Sequence, residues 1–161
     1  MAKEKYVQDT HMSERVKALH GAMMRIMGVM VRPRNDEQML KAAGVQLDRA
    51  LFSVLISIER LGPIGVVELG ERMGRDYTTL SRQVAKLESL GLIERRESEE
   101  DRRKREAVIA AKGRAMTKRI DAARARKAQE IFKDWSSAEL DTFVQLMQRF
   151  ADALERDSEK N

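Results

Sequence analysis

Residues 76–105 read DYTTLSRQVAKLESLGLIERRESEEDRRKR, and this stretch decides the fold. Asp76 is a favourable helix N-cap, and Gly91 is a favourable residue just after a helix C-terminus. Between them, apolar residues recur at the spacings of three and four that one buried helix face requires. They are Leu80, Val84, Leu87 and Leu90. The stretch therefore begins with an amphipathic helix.

The outward face of this helix is polar and lies between a short helix and a basic hairpin. It carries Thr78, Thr79, Ser81, Arg82 and Lys86. Residues 66–73, VVELGERM, predict two turns of helix, and Gly74 permits the left-handed conformation of a tight corner. Residues 92–96 and 105–110 predict two short strands around the polar tip 97–104. Together these elements have the layout of a winged helix-turn-helix DNA reader.

Composition agrees with a helical protein. The chain has 161 residues, of which 4% are aromatic and 35% charged, and its net charge of +5 fits a polyanionic partner. We expect one domain, or a small domain with an appended dimerisation element. The predicted fold class is mainly α with a small β-wing (α+β).

Several kinds of site are excluded. The chain has no cysteine, which removes disulfides, thiolate zinc sites and cysteine nucleophiles. Its two histidines, His11 and His20, lie nine residues apart and cannot share one helix face as a metal-binding pair. No catalytic triad, phosphate loop or carboxylate dyad is recognisable. We therefore predict no enzyme activity, no catalytic residue, no metal and no cofactor.

The ends of the chain predict amphipathic helices. Residues 13–32 carry apolar residues at helical spacing after a possible Ser13 cap, and residues 34–44 read as a linker. A buried helix is expected from Asp48 to Gly62-Pro63, and a long one from Gly113 to about Trp135. The terminal apolar faces can fold against each other or pair with a second copy, as a symmetric reader of palindromic DNA requires.

These observations divide the chain into four parts. They are a mobile N-terminal arm at residues 1–12, an N-terminal dimerisation helix and linker at 13–46, a winged helix-turn-helix DNA-binding lobe at 47–111, and C-terminal dimerisation helices at 112–161. The last helix is expected to begin at a Ser136–Glu139 capping box. No apolar run approaches the roughly 20 residues that span a bilayer, so we expect no membrane association and a cytoplasmic location.

The sequence resembles the MarR family of bacterial transcriptional regulators over roughly residues 13–155. The resemblance rests on VVELGERMGRDYTTLSRQVAKLESLGLIERR at 66–96, DRR at 101–103, KGRAM at 112–116 and SSAEL at 136–140. It implies an obligate homodimer on a pseudo-palindromic operator in double-stranded DNA. Each protomer would place one helix in a major groove and its wing in the flanking minor groove. Ala110-Ala111 departs from the Leu-Thr pair that is common in the family.

Individual contacts follow from the resemblance and from side-chain chemistry. The resemblance implies base contacts by the Thr78–Arg82 face, a minor-groove contact by Arg103, and an orienting role for Asp101. Arg75, Arg95 and Arg96 are better placed for phosphates, and Lys86 is a candidate phosphate contact. The complete predicted DNA-binding set is Arg75, Thr78, Thr79, Ser81, Arg82, Lys86, Arg95, Arg96, Asp101, Arg102, Arg103 and Lys104.

The resemblance also implies a repressor that is released by a small molecule, often an aromatic acid. The hypothetical effector pocket consists of Arg15, His20, Met23, Met24, Met27, Leu51 and Leu55. Two alternatives stay open at this point. One is a constitutive winged-helix DNA binder without an effector, and the other is a winged-helix protein-interaction module whose basic wing docks an acidic partner.

Overall fold

The computed structural model describes residues 2–99 and 101–158, with the backbone alone for residues 2–10. The chain divides into two compact units, residues 1–121 and 122–161. Its elements are α1 (Ala2–Met30), α2 (Pro33–Ala43), α3 (Arg49–Leu61), β1 (Ile64–Gly65), α4 (Val66–Met73), α5 (Tyr77–Ser89), β2 (Ile93–Glu97), β3 (Arg105–Ile109), α6 (Ala111–Ile131) and α7 (Ser137–Ser158). The mainly helical fold with a small antiparallel sheet confirms the predicted fold class.

The core of the first unit forms around α3. The Asp48 carboxylate accepts a 2.7 Å hydrogen bond from the backbone N–H of Ala50 and so caps this helix, as the sequence predicts. Val54, Leu55 and Ile58 of α3 have no exposed surface and pack with residues from the neighbouring helices and strands. Burial of this apolar stripe fixes α3 in the middle of the unit.

The three strands form one antiparallel sheet in the order β1-β3-β2. Arg95 of β2 and Ile64 of β1 both lie opposite Ala107 of β3. The side chains of Ile93 and Ala107 are buried, whereas Glu94 and Arg96 on the alternate positions are exposed. The predicted wing strands are therefore confirmed to within one residue at either end.

The start of α6 packs tightly against the start of the wing. A Cβ added to Gly113 would lie 2.0 Å from the carbonyl oxygen of Leu92, so only glycine fits this position without a shift of backbone. The Lys112 ammonium also donates a 2.8 Å hydrogen bond to the Leu90 carbonyl, after the last turn of α5. These two contacts tie α6 to the end of α5.

Three predicted boundaries are wrong. α1 continues back to Ala2, so its start at Ser13 and the separate arm at residues 1–12 are not observed. Residues 34–44 are not a linker, because α2 occupies them almost completely: Pro33 starts the helix, Leu40 and Ala43 are buried, and Gly44 ends it with φ of 60°. α6 ends at Ile131, one turn before Trp135.

The second unit contains the end of α6 and all of α7. The predicted capping box is present: the Glu139 carboxylate accepts from the backbone N–H of Ser136 at 2.8 Å, and the Ser136 hydroxyl accepts from the N–H of Glu139 at 3.3 Å. The hydroxyl and backbone of Ser136 lower the pKa of the Glu139 carboxyl. The ring of Trp135 makes edge-to-face contacts with Phe132 and Phe143, with centroid distances of 5.1 and 5.4 Å, and so packs the connection between α6 and α7.

No helix in the described part of the chain is long and apolar enough to cross a membrane. The same residues contain no group of three or more histidine, aspartate or glutamate side chains arranged to hold a metal ion.

Candidate nucleic-acid interface

α4 and α5 meet at a tight corner. The backbone N–H groups of Gly74 and Arg75 donate to the carbonyls of Glu71 and Gly70 at 3.2 and 3.0 Å, and Gly74 has φ of 60°. A side chain other than hydrogen is strained in this left-handed conformation. The corner turns the chain at once from α4 into α5, as the sequence predicts.

Asp76 caps α5. Its carboxylate accepts a 2.8 Å hydrogen bond from the backbone N–H of Thr79. Hydrogen bonds from the backbone and side chain of Thr79 lower the pKa of the Asp76 carboxyl from its ordinary value, with smaller contributions from nearby backbone groups. The first turn of α5 is therefore held in place immediately beside its polar face.

The two faces of α5 differ as predicted. Leu80, Val84 and Leu87 have no exposed surface. The exposed residues of the predicted reading face are Thr78, Thr79, Arg82 and Lys86, whereas Ser81 is half-buried. Within the residues that the structure describes, the side chains of Arg82 and Lys86 make no hydrogen bond or ion pair. Their cationic groups are available to a ligand outside the protomer.

The wing tip exposes a second cluster of cations. Arg102, Arg103 and Lys104 are exposed, and their side chains have no hydrogen-bond or ion-pair partner among the described residues. The backbone is ordered by hydrogen bonds from Lys104 N–H to the Asp101 carbonyl at 2.8 Å and from Ser98 N–H to the Lys104 carbonyl at 3.0 Å. The loop thus presents three cations from a closed turn.

Asp101 acts on the backbone of the wing tip. Its carboxylate accepts a 3.0 Å hydrogen bond from the backbone N–H of Arg103, two residues on. The resemblance implies that this acid orients Arg103. In the structure it acts through the backbone, by stabilising the turn from which Arg103 projects.

Arg75 has a different environment from the one predicted. Its half-buried guanidinium donates to the Ser53 hydroxyl at 2.8 Å and to the Gln83 side-chain carbonyl at 3.2 Å, with a longer 3.5 Å contact to the Ala50 carbonyl. These groups belong to α3 and α5. The guanidinium is occupied inside the lobe, so its assignment to a DNA phosphate is not retained.

Arg95 and Arg96 are also engaged by acids of the chain. Arg95 Nε lies 3.2 Å from the Glu88 carboxylate of α5, with a geometry that gives an ion pair rather than an aligned hydrogen bond. On the opposite face of β2, Arg96 pairs with Glu94 at 2.8 Å. Their assignment to phosphates overlooked these carboxylates. Arg95 is not retained as a DNA contact below, whereas Arg96 is 65% exposed in a surface pair and its phosphate contact stays a prediction.

The predicted effector pocket does not hold for all its members. Leu51 and Leu55 belong to the apolar core, with 8% and 0% of their surface exposed, so Leu55 cannot line a ligand cavity of the protomer. Along α1, Met23 is half-buried. Four other members of the predicted set are exposed on α1: Arg15, His20, Met24 and Met27.

Two kinds of residue around α5 were missed. Tyr77 begins α5 with 59% of its surface exposed, although it continues the apolar stripe of Leu80, Val84 and Leu87. The residues that hold the arginines, Ser53, Gln83 and Glu88, were missed because they are distant in sequence from Arg75 and Arg95.

These elements define a winged helix-turn-helix protein: α4, a tight corner, α5 and a basic two-stranded wing. The model of the MarR family matches residues 47–104, which span α3 through the wing tip. The chain belongs to the MarR family of transcriptional regulators. It is a DNA-binding regulator and not an enzyme, as the sequence predicts.

Three relatives illustrate the match. The helix-turn-helix-type transcriptional regulator YxaD of Bacillus subtilis is 34% identical over 103 residues, which cover 64% of this chain and 72% of that protein. The transcriptional repressor MprA of Escherichia coli is 29% identical over 124 residues, 76% of this chain and 69% of MprA. A MarR family protein from Bacillus stearothermophilus shares the fold with a TM-score of 0.69 at 18% identity, covering 88% of this chain and 97% of that one.

Proposed function

We propose that this chain is a homodimeric repressor that reads a pseudo-palindromic operator, with α5 in the major groove and the wing in the flanking minor groove. The observation that carries the proposal is the pair of exposed cationic groups, on α5 and on the wing tip, that have no partner among the described residues. In a winged helix these two elements are the ones that contact DNA.

The contacts on α5 divide into two kinds. Thr78, Thr79 and Arg82 lie on the outward face of the first turns, where they would meet base edges. An arginine can donate two hydrogen bonds to guanine O6 and N7, which gives about 1–3 kcal/mol of discrimination between bases. Lys86 lies one turn further on and would contact a phosphate. Half-buried Ser81 stands at the edge of this face and would contribute less.

Arg103 would enter the minor groove, flanked by Arg102 and Lys104. A narrow minor groove in A·T-rich DNA concentrates negative potential and attracts an inserted arginine. The Asp101 carboxylate supports this role through the backbone, since it fixes the turn that carries Arg103.

The terminal helices support the homodimer. α1 exposes apolar side chains that include Val16, Leu19 and Ile26, at 55%, 44% and 46%. α7 has no buried residue and exposes Val144, Met147 and Leu154 at 43–49%. Apolar faces of this extent on two long helices indicate association. A two-fold dimer would place two copies of α5 about 34 Å apart, one turn of B-DNA.

Repression and its release are the finer parts of the proposal. The relative MprA is a repressor, and the family resemblance suggests release by a small aromatic acid. An effector must bind the DNA-competent and incompetent dimers with different affinity. Its site would not include Leu55, which belongs to the core. Because its proposed target is DNA, we place it in the cytoplasm.

Selection of duplexes from a random-sequence library by the wild-type protein tests the proposal. We expect recovery of a pseudo-palindrome whose half-sites are about 10 base pairs apart. Recovery of no preferred sequence would contradict the reading of bases. A thermal-shift screen with aromatic acids tests the effector, and no shift across a broad panel would favour the constitutive binder.

A further inference from the structure

Two arginines hold the recognition helix from opposite flanks. Arg75, in the corner before α5, contacts Gln83 in the middle of the helix. Arg95, on wing strand β2, pairs with Glu88 in the last turn of the helix. We propose that Arg75 and Arg95 are positioning residues that set the rotation of α5 about its own axis and thereby its choice of bases. The inference rests on the proposed function, since it concerns how α5 reads DNA.

The positions of the two contacts on the helix carry the argument. At about 100° per residue, Gln83 and Glu88 lie roughly 140° apart around the axis of α5. The buried stripe Leu80–Val84–Leu87 falls between them, and the reading face lies on the other side. The apolar stripe alone would allow α5 to rotate slightly about its axis, because apolar contacts have no preferred direction. Two polar contacts, one on each flank, resist rotation in both directions.

Each arginine is anchored in a part of the lobe other than α5. The Arg75 guanidinium also donates to the Ser53 hydroxyl of α3 at 2.8 Å, so it joins the central helix to the recognition helix. Arg95 lies opposite Ala107 in the middle of the wing sheet, and its side chain is 26% exposed. Arg75 therefore fixes one flank of α5 to α3, and Arg95 fixes the other flank to the wing sheet.

A small rotation of α5 would move its side-chain tips far enough to break hydrogen bonds to bases. A side chain tip lies roughly 6 Å from the helix axis, so a rotation of about 15° moves it by roughly 1.5 Å. Hydrogen bonds hold donor and acceptor within about half an ångström of 2.9 Å. Rotation of α5 by that amount would remove base contacts by Arg82 and leave contacts to phosphates, which are less directional.

Conservative substitutions separate positioning from direct contact. Lysine keeps the charge of Arg75 but lacks the planar fork that reaches two acceptors, so Arg75→Lys would preserve a phosphate contact and lose the bridge between Ser53 and Gln83. Glu88→Gln removes an acid from the flank of the reading helix. Electrostatics alone would then strengthen binding to every sequence, whereas loss of positioning weakens binding to the preferred one.

The experiment measures affinity for the duplex selected by the wild-type protein and for a scrambled duplex of equal composition, between about 50 and 200 mM salt. For both variants we expect the ratio of the two affinities to fall by about tenfold or more, equivalent to one lost base contact. The salt slope of Arg75→Lys should equal that of the wild type. Arg60→Lys is the matched control, because Arg60 pairs with Glu59 and Asp121 away from α5.

A double-mutant cycle tests whether Arg75→Lys lowers specificity through the contact between Arg75 and Gln83. In a Gln83→Leu protein, Arg75→Lys should cause no further loss of specificity, because the contact between the two side chains is already gone. Three results would overturn the proposal. The losses of specificity from the two substitutions could add, or the ratio of the two affinities could stay unchanged. Alternatively, the affinity for both duplexes could fall equally, with a salt slope lower by about one. Circular dichroism and melting curves confirm folding in each case.

Glu88→Gln keeps the test decisive if Arg75→Lys does not fold, since the Glu88 side chain is 43% exposed. Failure of the proposed function has a separate signature, in which the wild-type protein itself selects no sequence. Selection by the wild type with unchanged ratios in both variants contradicts only the positioning of α5.

Discussion

The Asp76 carboxylate accepts a hydrogen bond from the backbone N–H of Thr79, with 2.8 Å between Oδ1 and N. This bond lies at the start of the recognition helix, directly beside the residues proposed to read bases. It couples the stability of the first turn of α5 to the charge of one exposed carboxylate.

Asp76→Ala should therefore lower the melting temperature at neutral pH by removing the cap. The pKa of the Asp76 carboxyl is depressed in the folded protein, so its stabilisation is present above the ordinary value near 3.8 and is lost as the pH falls through the lower folded value. Melting curves of the wild type and the variant should converge below about pH 4. A difference that persists unchanged at pH 2 would contradict the role of the charged cap.

Gly113→Ala should destabilise the first unit by about 1–3 kcal/mol or more, as expected for overpacking against rigid backbone. The added Cβ would lie 2.0 Å from the Leu92 carbonyl oxygen and 2.7 Å from Ile109 Cδ1. Urea unfolding measures the effect. Gly21→Ala in α1 is the control, because a Cβ there meets nothing within 4 Å and alanine favours helix by up to about 1 kcal/mol.

Lys86→Ala should weaken binding to the selected and scrambled duplexes alike and reduce the salt slope by about one, as loss of a single phosphate contact requires. Fluorescence anisotropy at several salt concentrations provides both quantities. A loss confined to the selected duplex would instead assign Lys86 to a base edge.

Val144→Glu, combined with Met147→Glu, should shift the protein from dimer to monomer. The two side chains are 45% and 43% exposed on the apolar face of α7, and buried unpaired carboxylates oppose association. Sedimentation equilibrium measures the change. The single variants Val144→Glu and Gln145→Glu form a matched pair, because the second adds the same charge to the opposite side of α7 and should remain dimeric. Equal dissociation by both single variants would point to net charge rather than the apolar face.

The sequence predicted the lobe well because its signals are local. Asp48, Asp76 and the Ser136–Glu139 box are caps whose partners lie two or three residues away, and the structure contains all three. Gly74 adopts the left-handed conformation expected at the corner. Apolar spacing identified the buried face of α5, because helix geometry alone fixes which residues share a face.

Prediction failed where the decisive partner was distant in the chain. Arg75 was assigned to a phosphate because its neighbours in sequence give no sign of Ser53, 22 residues earlier. α2 was predicted as a linker because Pro33 and the following polar residues conceal a helix whose buried side consists mainly of Leu40 and Ala43. The ligand pocket combined Leu55 with residues of α1, although the sequence itself predicted a buried helix at this position, and the packed core leaves Leu55 no exposed surface.

The most direct test of the central claim is the binding of Arg82→Ala and Arg103→Ala proteins to the duplex selected by the wild type. These two exposed arginines represent the two DNA-reading elements, α5 and the wing. We predict that each variant keeps its fold and its affinity for scrambled DNA to within a few-fold, while its affinity for the selected duplex falls by about tenfold or more. Undiminished sequence-specific binding by both variants would contradict the account.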